Sequence, residues 1–340
     1  MVSQPLVSVL IPNHNYSAYL PLAIKSVLRQ TYQHFEMIIC DDGSTDNSWE
    51  VLQACTDDPR IKITRKSRGG QPSAWSAAYQ LAEGEILCFL DSDDAFRPAK
   101  LAEVVHAFKA NPQSGICTHF LRPVSKRGRP LGAPVPRILD CGWLAPTALN
   151  SGGKGNYPPS SGISVRNEIA ELVFPIPEYL SRAPDAYAFN TAIFLTQVVA
   201  IPQVLGDYRW HGKNICAGKI PNFELLTGLI DVRAKLHQAV VAFLTSRFGR
   251  EVARCVRLED SESYRKLLLW LYVFEGQRNG YVRHHDVDSI LGQLSPGFKN
   301  VIRKILISLP PRLAQTLYRA WARMPYLLPW RRSLKIRTLT

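Results

Sequence analysis

Through the first 110 residues, apolar and polar positions follow two alternating periods. "LVSVLIP" (6–12), "EMIIC" (36–40), "IKITRK" (61–66) and "EILCFL" (85–90) are short apolar runs of strand length. Between them, "AYLPLAIKSVLRQ" (18–30), "NSWEVLQAC" (47–55), "SAWSAAYQLAEG" (73–84) and "AKLAEVVHAFKAN" (99–111) space their apolar residues as a helix does, with Leu22, Ile24, Val27 and Leu28 in the first. Strands alternating with helices of this length predict βαβ units, hence an α/β fold with a mostly parallel, Rossmann-like sheet flanked by helices. Ligands of such sheets sit beyond the carboxyl ends of the strands. Polar clusters stand at those ends: "PNHNY" after the first strand, "DDGSTD" after the second, "DSDD" after the fourth.

The pattern changes beyond Gly115. "ICTHFLRPVSKRGRPLGAPV" reads as two strands around a turn at 126–129, and "LNSGGKGNYPPSSG" (149–162) as a mobile Gly/Ser/Pro loop. A helix over 185–197 and a strand ending in "YRWHGKN" follow. The uncharged stretch 186–206 changes character midway, so it predicts a buried helix–loop–strand; a membrane span needs about 20 predominantly apolar residues. From 221 onward the chain reads as mainly helical, which divides it into an α/β domain, 1–220, and a helical, basic C-terminal extension, 221–340.

Candidate chemistry concentrates in "ILCFLDSDDAFRP" (86–98), where an apolar strand ends in Asp91, Asp93 and Asp94. Three crowded carboxylates repel one another unless a positive charge sits among them. Asp91 and Asp93, two apart in extended backbone, point to the same side. Oxygen ligands without a neighbouring His or Cys suit Mg2+ or Mn2+ rather than zinc, and such a cation typically shares its coordination with substrate phosphates. Asp94 has the alternative of capping the helix that follows. In "CDDGSTDNS" (40–48), Asp41 and Asp42 end a strand, Gly43 permits a tight turn, and a carboxylate there can accept a hydrogen bond from a base or a ribose.

Together, "VSVLIPNHNYSAYLPLAIKSVLRQTYQHFEMIICDDGSTDNS", "GGQPSAWSAAYQLAEGEILCFLDSDD" and "YRWHGKN" resemble the family 2 inverting nucleotide-sugar glycosyltransferases of GT-A fold, over about residues 5–215. The resemblance implies that Pro12, Asn13 and Tyr16 line the nucleobase pocket and that Asp42 binds the base. It also implies that Asp91 contacts ribose or a metal-bound water, that Asp93 ligates the metal, and that His211 completes the metal site or touches the diphosphate. Asp185 in "RAPDAYAFN" stands where the family's catalytic base does, although Pro184 replaces the usual acidic neighbour. "PPSSGIS" (158–164), with Ser161, resembles the family's acceptor-side loop, which implies hydroxyl and backbone donors presented to a sugar. Where relatives carry Arg-Asn this chain has Trp75-Ser76, so the basic contact is either supplied by Arg68 or Lys66 or absent. The expected donor is a UDP-, GDP- or dTDP-sugar and the expected acceptor a glycan or a polyprenyl-linked sugar. The Trp75-Ser76 departure admits a second class of function, a non-catalytic nucleotide-sugar-binding subunit of a polysaccharide assembly.

Charge and cysteine usage add location. The formal net charge is +13, and residues 289–340 hold ten Lys and Arg with no Asp or Glu. Basic residues alternate there with Leu, Ile, Trp and Tyr, as in helices that lie on anionic membranes. No recognition motif accompanies this charge, so nucleic acid is not an expected partner. Seven dispersed cysteines without metal-ligand spacing, and an N-terminus without a signal-peptide pattern, lead to the expectation of a reducing, cytoplasmic setting, peripheral to the membrane face.

Overall fold

The computed structural model describes residues 4–153, 155–180, 183–212, 214, 222–275 and 334–339. The first half follows the expected alternation: β1 (Val7–Asn13), α1 (Leu20–Leu28), β2 (Phe35–Asp42), α2 (Ser48–Gln53), β3 (Ile61–Lys66), α3 (Gln71–Tyr79), β4 (Ile86–Phe89), β5 (Ala95–Phe96) and α4 (Lys100–Ala110). The mixed half continues with β6 (Ser114–Ser125), β7 (Ile138–Gly142), α5 (Ala145–Leu149), β8 (Ile163–Arg166), α6 (Asn167–Val173), α7 (Pro184–Ala192) and β9 (Gln197–Trp210). Then come α8 (Phe223–Phe248), α9 (Arg250–Cys255), α10 (Glu262–Glu275) and β10 (Lys335–Leu339).

One sheet runs β10-β7-β9-β6-β8-β4-β1-β2-β3, with β5 paired to β9. β3, β2, β1 and β4 are mutually parallel neighbours, with Val7 opposite Phe35 on one side and Ile86 on the other. β8 is the antiparallel wedge between β4 and β6, and β6 runs parallel to β9. β1 and β2 are buried at every position, as expected for strands covered on both faces. The helices contribute stripes: Leu20, Ala23, Ile24 and Val27 of α1 join Val7, Val9, Ile11, Met37 and Ile39 in the core. Leu22, which the periodicity had placed inward, is 50% exposed, because the i, i+3, i+4, i+7 stripe runs through Leu20.

The chain forms two compact units, Met1–Pro146 with Gly155–His211 and Trp330–Thr340, and Thr147–Lys154 with Gly212–Pro329. In the second unit, α8 opens on Asn222, whose side-chain oxygen accepts from the Leu225 amide at 2.8 Å, and it buries Leu226, Ile230, Leu236, Val240 and Leu244. Among the described residues no helix is long and apolar enough to cross a membrane. Most of the basic segment 289–340 lies outside the described residues.

Residues 335–339 differ from the expected helical extension. They add to the sheet as a strand parallel to β7, with Arg337 opposite Asp140. The Arg337 guanidinium donates from Nε and one terminal nitrogen to the two Asp140 oxygens at 2.8 and 2.9 Å. Asp140 is buried, and its Oδ2 also accepts from the Asn156 amide and side chain, each at 3.1 Å. Gly142 permits the close pairing: a Cβ there would stand 2.2 Å from the Leu339 carbonyl oxygen.

Lys100 and His119 are sealed in the interior. Lys100 is fully buried, donates to Ser164 Oγ at 3.0 Å and lies over the Phe96 ring. His119 is fully buried, with Nδ1 3.0 Å from the Phe120 carbonyl and no partner for Nε2 among the described residues. Burial, then the charge of Lys100, pushes the His119 pKa down from 6.5 to about 3.

Two outcomes follow. Arg337→Ala leaves the buried Asp140 carboxylate with fewer donors and costs about 1–3 kcal/mol. Hydrogen exchange should rise at 138–142 while β1 stays protected; equal protection would show that β10 contributes nothing. For His119 the folded-state pKa is depressed, so its contribution is complete above pH 6.5 and is lost as pH falls toward 3. The melting temperature of His119→Phe should therefore fall less steeply than wild type below pH 6.5, and parallel acid limbs would contradict this.

Candidate functional site

The site lies beyond the carboxyl ends of β1, β2 and β4, where parallel strands leave their last carbonyls and the following turns free to shape a pocket. Asp91, Asp93 and Asp94 follow β4, and each presents an oxygen such that all three lie within 4.8 Å. They are the one group of three or more metal-compatible side chains among the described residues.

A different part of the chain restrains each carboxylate. Asp91 accepts from Gln71 Nε2 of α3 at 3.0 Å and from Ser160 Oγ at 2.5 Å. Asp94 accepts from Ser161 Oγ at 2.6 Å and from the Arg209 amide at 2.8 Å. Asp93 Oδ2 lies 2.8 Å from His211 Nε2, and its backbone carbonyl accepts from Arg209 Nε at 2.8 Å. The His211 ring is stacked on Tyr19 with 4.9 Å between centroids and meets Tyr16 edge-on at 5.5 Å. The imidazole is thus oriented from two sides.

Burial and mutual repulsion show in the titration of the cluster. Burial, followed by the charge of Asp93, raises Asp91 from 3.8 to about 7, with Asp185 adding to the rise. Asp94 is raised well above 3.8 by burial and then by Asp93 and Asp91. The Tyr16 hydroxyl is raised too, by burial and then by Asp93, Asp91 and Asp94, which puts this ring within the field of the cluster. A hard divalent cation fits these oxygens: it would relieve the same repulsion that raises them.

Asp42 forms the second focus. Gly43 turns the chain at φ +66°, and a Cβ there would stand 2.9 Å from the Arg68 amide nitrogen. This brings the 66–70 segment over Asp42, which accepts from Lys66 Nζ at 3.2 Å, Arg68 at 2.7 Å, and the Gly69 and Gly70 amides at 2.8 Å each. A carboxylate offers about four lone-pair sites, so this one is saturated. A base could bond Asp42 only by displacing a donor, and Arg68, with 56% of its side chain exposed, is the one at the surface. Lys66 and Arg68 are both engaged here, where a basic contact to a substrate had been expected of them. Asp41, fully buried, instead meets Arg65 and accepts from Asn13 Nδ2 and the Ser44 amide.

The other expected residues distribute as follows. Pro12 and Asn13 are buried at the end of β1, and Tyr16 is half-buried beside His211. Asp185 is half-buried in the first turn of α7, near enough for its charge to act on Asp91. Ser161 is fully buried: it accepts from the Asp91 amide at 3.1 Å and donates to Asp94, so it braces the cluster from inside. The loop read as mobile therefore ends in two serines tied to carboxylates. Asp94 is not a helix cap, because α4 opens at Ala99 without any side-chain cap and Asp94 faces the interior. Trp75 is fully buried and stacked on Phe89 at 4.2 Å, in the core.

Gln71, Ser160 and Tyr19 were not singled out from sequence. Gln71 and Ser160 meet Asp91 across 20 and 69 residues, and no local pattern announces such a pair. Arg209 lies in "YRWHGKN", two residues before His211. Its role comes from β9 lying beside β5, which sets its amide on Asp94.

Asp42→Asn should lower stability by about 1–3 kcal/mol, since one of the two buried oxygens can no longer accept. Denaturant unfolding would read this, and an unchanged midpoint would show that the four bonds do not support the 66–70 segment.

Residues 8–134 match the sequence profile of Glycosyl transferase family 2. The chain is 35% identical over 213 residues to an uncharacterized glycosyltransferase of Nostoc sp., covering 61% of this chain and 66% of that one. It is 36% identical over 264 residues to the Escherichia coli UDP-Glc:alpha-D-GlcNAc-diphosphoundecaprenol beta-1,3-glucosyltransferase WfaP, covering 76% of this chain and 99% of the relative. The match to the Pasteurella multocida chondroitin synthase spans 28% of this chain and only 10% of that protein. In fold, the chain resembles Staphylococcus aureus TarS crystallised with UDP (TM-score 0.54, 16% identity, 94% of this chain and 88% of that one). It also resembles the Pyrobaculum calidifontis mannosyltransferase PcManGT in complex with GDP-Man and Mn2+ (TM-score 0.50, 16% identity, 95% and 89%).

Proposed function

Given that the chain belongs to glycosyl transferase family 2, we propose that it moves a sugar, with inversion and with a divalent cation, from a nucleotide-sugar donor to a hydroxyl of a glycan or lipid-linked acceptor. The observation that carries this reading is the cluster of Asp91, Asp93 and Asp94, with Asp185 close enough to raise Asp91 further. The Escherichia coli relative, with its UDP-linked donor and lipid-diphosphate acceptor, supports the choice of substrate classes.

Asp93 and Asp91 would hold Mg2+ or Mn2+, and the bound cation would supply positive charge opposite the departing diphosphate. Gln71 and Ser160 keep Asp91 turned toward that position; His211 does the same for Asp93. Asp185 takes the proton of the acceptor hydroxyl as its oxygen bonds to the anomeric carbon. The bond from that carbon to the diphosphate oxygen breaks on the opposite face, so the configuration inverts and the electron pair leaves with the nucleotide. Pro12, Asn13 and Tyr16 flank the base. Arg68, the exposed cation there, exchanges its Asp42 contact for a substrate one.

Docking at an anionic membrane face through the basic segment belongs to the same proposal, on composition alone. Lys335 and Arg337 are excluded from it as helical residues, since they stand on β10.

Asp185→Asn should retain UDP binding in the presence of Mn2+ and lose kcat by about 10²–10⁴-fold. Asp93→Ala should lose the Mn2+-dependent part of UDP binding, read by calorimetry. Sugar transfer at wild-type rates in both variants would sink the proposal.

A further inference from the structure

Between Glu103 and Asp140 the chain has no carboxylate, yet it carries Arg122, Lys126, Arg127, Arg129 and Arg137. β6 and the segment after it fold back as a hairpin, with Leu121 bridging Val135 and Val124 bridging Pro130. Its tip is a fixed turn. The Gly128 amide donates to the Ser125 carbonyl and the Ser125 amide to the Arg129 carbonyl, both at 2.8 Å, and the Arg129 amide donates to Ser125 Oγ at 3.1 Å. Gly128, at φ +78°, supplies the left-handed residue such a turn needs.

Lys126, Arg127 and Arg129 thus stand exposed within four consecutive residues of one fixed turn. None of the three has an ion-pair partner among the described residues. Three positive charges therefore lie close in sequence on one exposed turn, with no carboxylate among the described residues paired to them.

The turn also has a defined place. Arg209 reaches the Ser125 and Lys126 carbonyls with one terminal nitrogen, at 3.4 and 3.3 Å, while its Nε donates to the Asp93 carbonyl at 2.8 Å. A single guanidinium therefore separates the cationic turn from the residue assigned to the metal. Two arginines and a lysine suit phosphate oxygens, since guanidinium forks pair with them bidentately.

We infer that the turn at 126–129 binds the diphosphate of a lipid-linked acceptor, and that the acceptor is therefore phosphate-bearing rather than a neutral glycan. This rests on the transferase reading above. The acceptor hydroxyl must come within about 3.5 Å of the anomeric carbon, so a diphosphate on the same acceptor sugar lies about one ring beyond the reacting atoms. The donor diphosphate belongs with the cation of the carboxylate cluster, which leaves the turn to the second anion.

The test compares wild type with Lys126→Ser/Arg127→Ser/Arg129→Ser, an exposed triple change that keeps Ser125 and Gly128. Calorimetry with UDP and Mn2+ comes first, as the control for the donor half. A short-chain alkyl diphosphate and the same alcohol without phosphate are then titrated in the presence of UDP and Mn2+. Wild type should prefer the diphosphate by tenfold or more, less at higher salt. The variant should lose that preference while binding UDP as before. An alkyl diphosphate preference that survives in the variant, or is absent from wild type, overturns the assignment. So does weakened UDP binding in the variant alone, which would give the turn to the donor. If neither protein binds UDP, the transferase reading fails instead. Loss of sedimentation with phosphatidylglycerol vesicles, with the diphosphate preference intact, would make the turn a membrane contact and also overturn it.

Discussion

Everything at the carboxyl end of the sheet is arranged around one electrostatic constraint: three carboxylates within 4.8 Å of one another at the end of β4. In a partly desolvated setting their repulsion is not screened by water, and two of them are raised accordingly. Donors from α3, from the serines before β8 and from the end of β9 hold the cluster together. These segments are far apart in the chain, so the cluster also acts as a tie between the parallel and the mixed halves of the sheet. Such restraint keeps the carboxylate oxygens convergent.

Asp42 shows a different use of the same residue type. Four donors surround it, two of them cationic, so its charge is matched within the chain and the 66–70 segment is held over it. One carboxylate group repels itself at close range while the other is matched by cations of the same chain. Position 75 carries no basic residue because the Trp75 ring is packed against Phe89, and the cations sit on the neighbouring segment instead.

Several expectations failed for one shared reason, that a local rule was applied where a distant partner decides. Asp94 satisfies the sequence pattern of a helix cap, but β9 and Ser161 are nearer to it than the α4 amides. Ser161 sits in a loop rich in Gly, Ser and Pro, which locally signals an exposed and mobile connection. Its hydroxyl is nonetheless fully buried, because the strand that follows it is inserted between β4 and β6. Arg337 belongs by composition to a basic tail, but a buried Asp140 opposite it makes a strand the better bargain.

Hydrophobic periodicity by itself determined the alternating elements of residues 7–110, since burial on both faces demands apolar runs in strands and apolar stripes in helices. The turn at Gly43 followed from its residue type, whereas the extended backbone expected at Asp91 and Asp93 is a turn, closed by the Asp94 amide donating to the Asp91 carbonyl at 2.9 Å. Tertiary structure alone decided which side chains meet those carboxylates. Gln71, Ser160, Ser161, Arg209 and His211 reach them across 20 to 118 residues of sequence. No local pattern encodes such encounters, because they arise from the order of strands in the sheet and not from the order of residues in the chain.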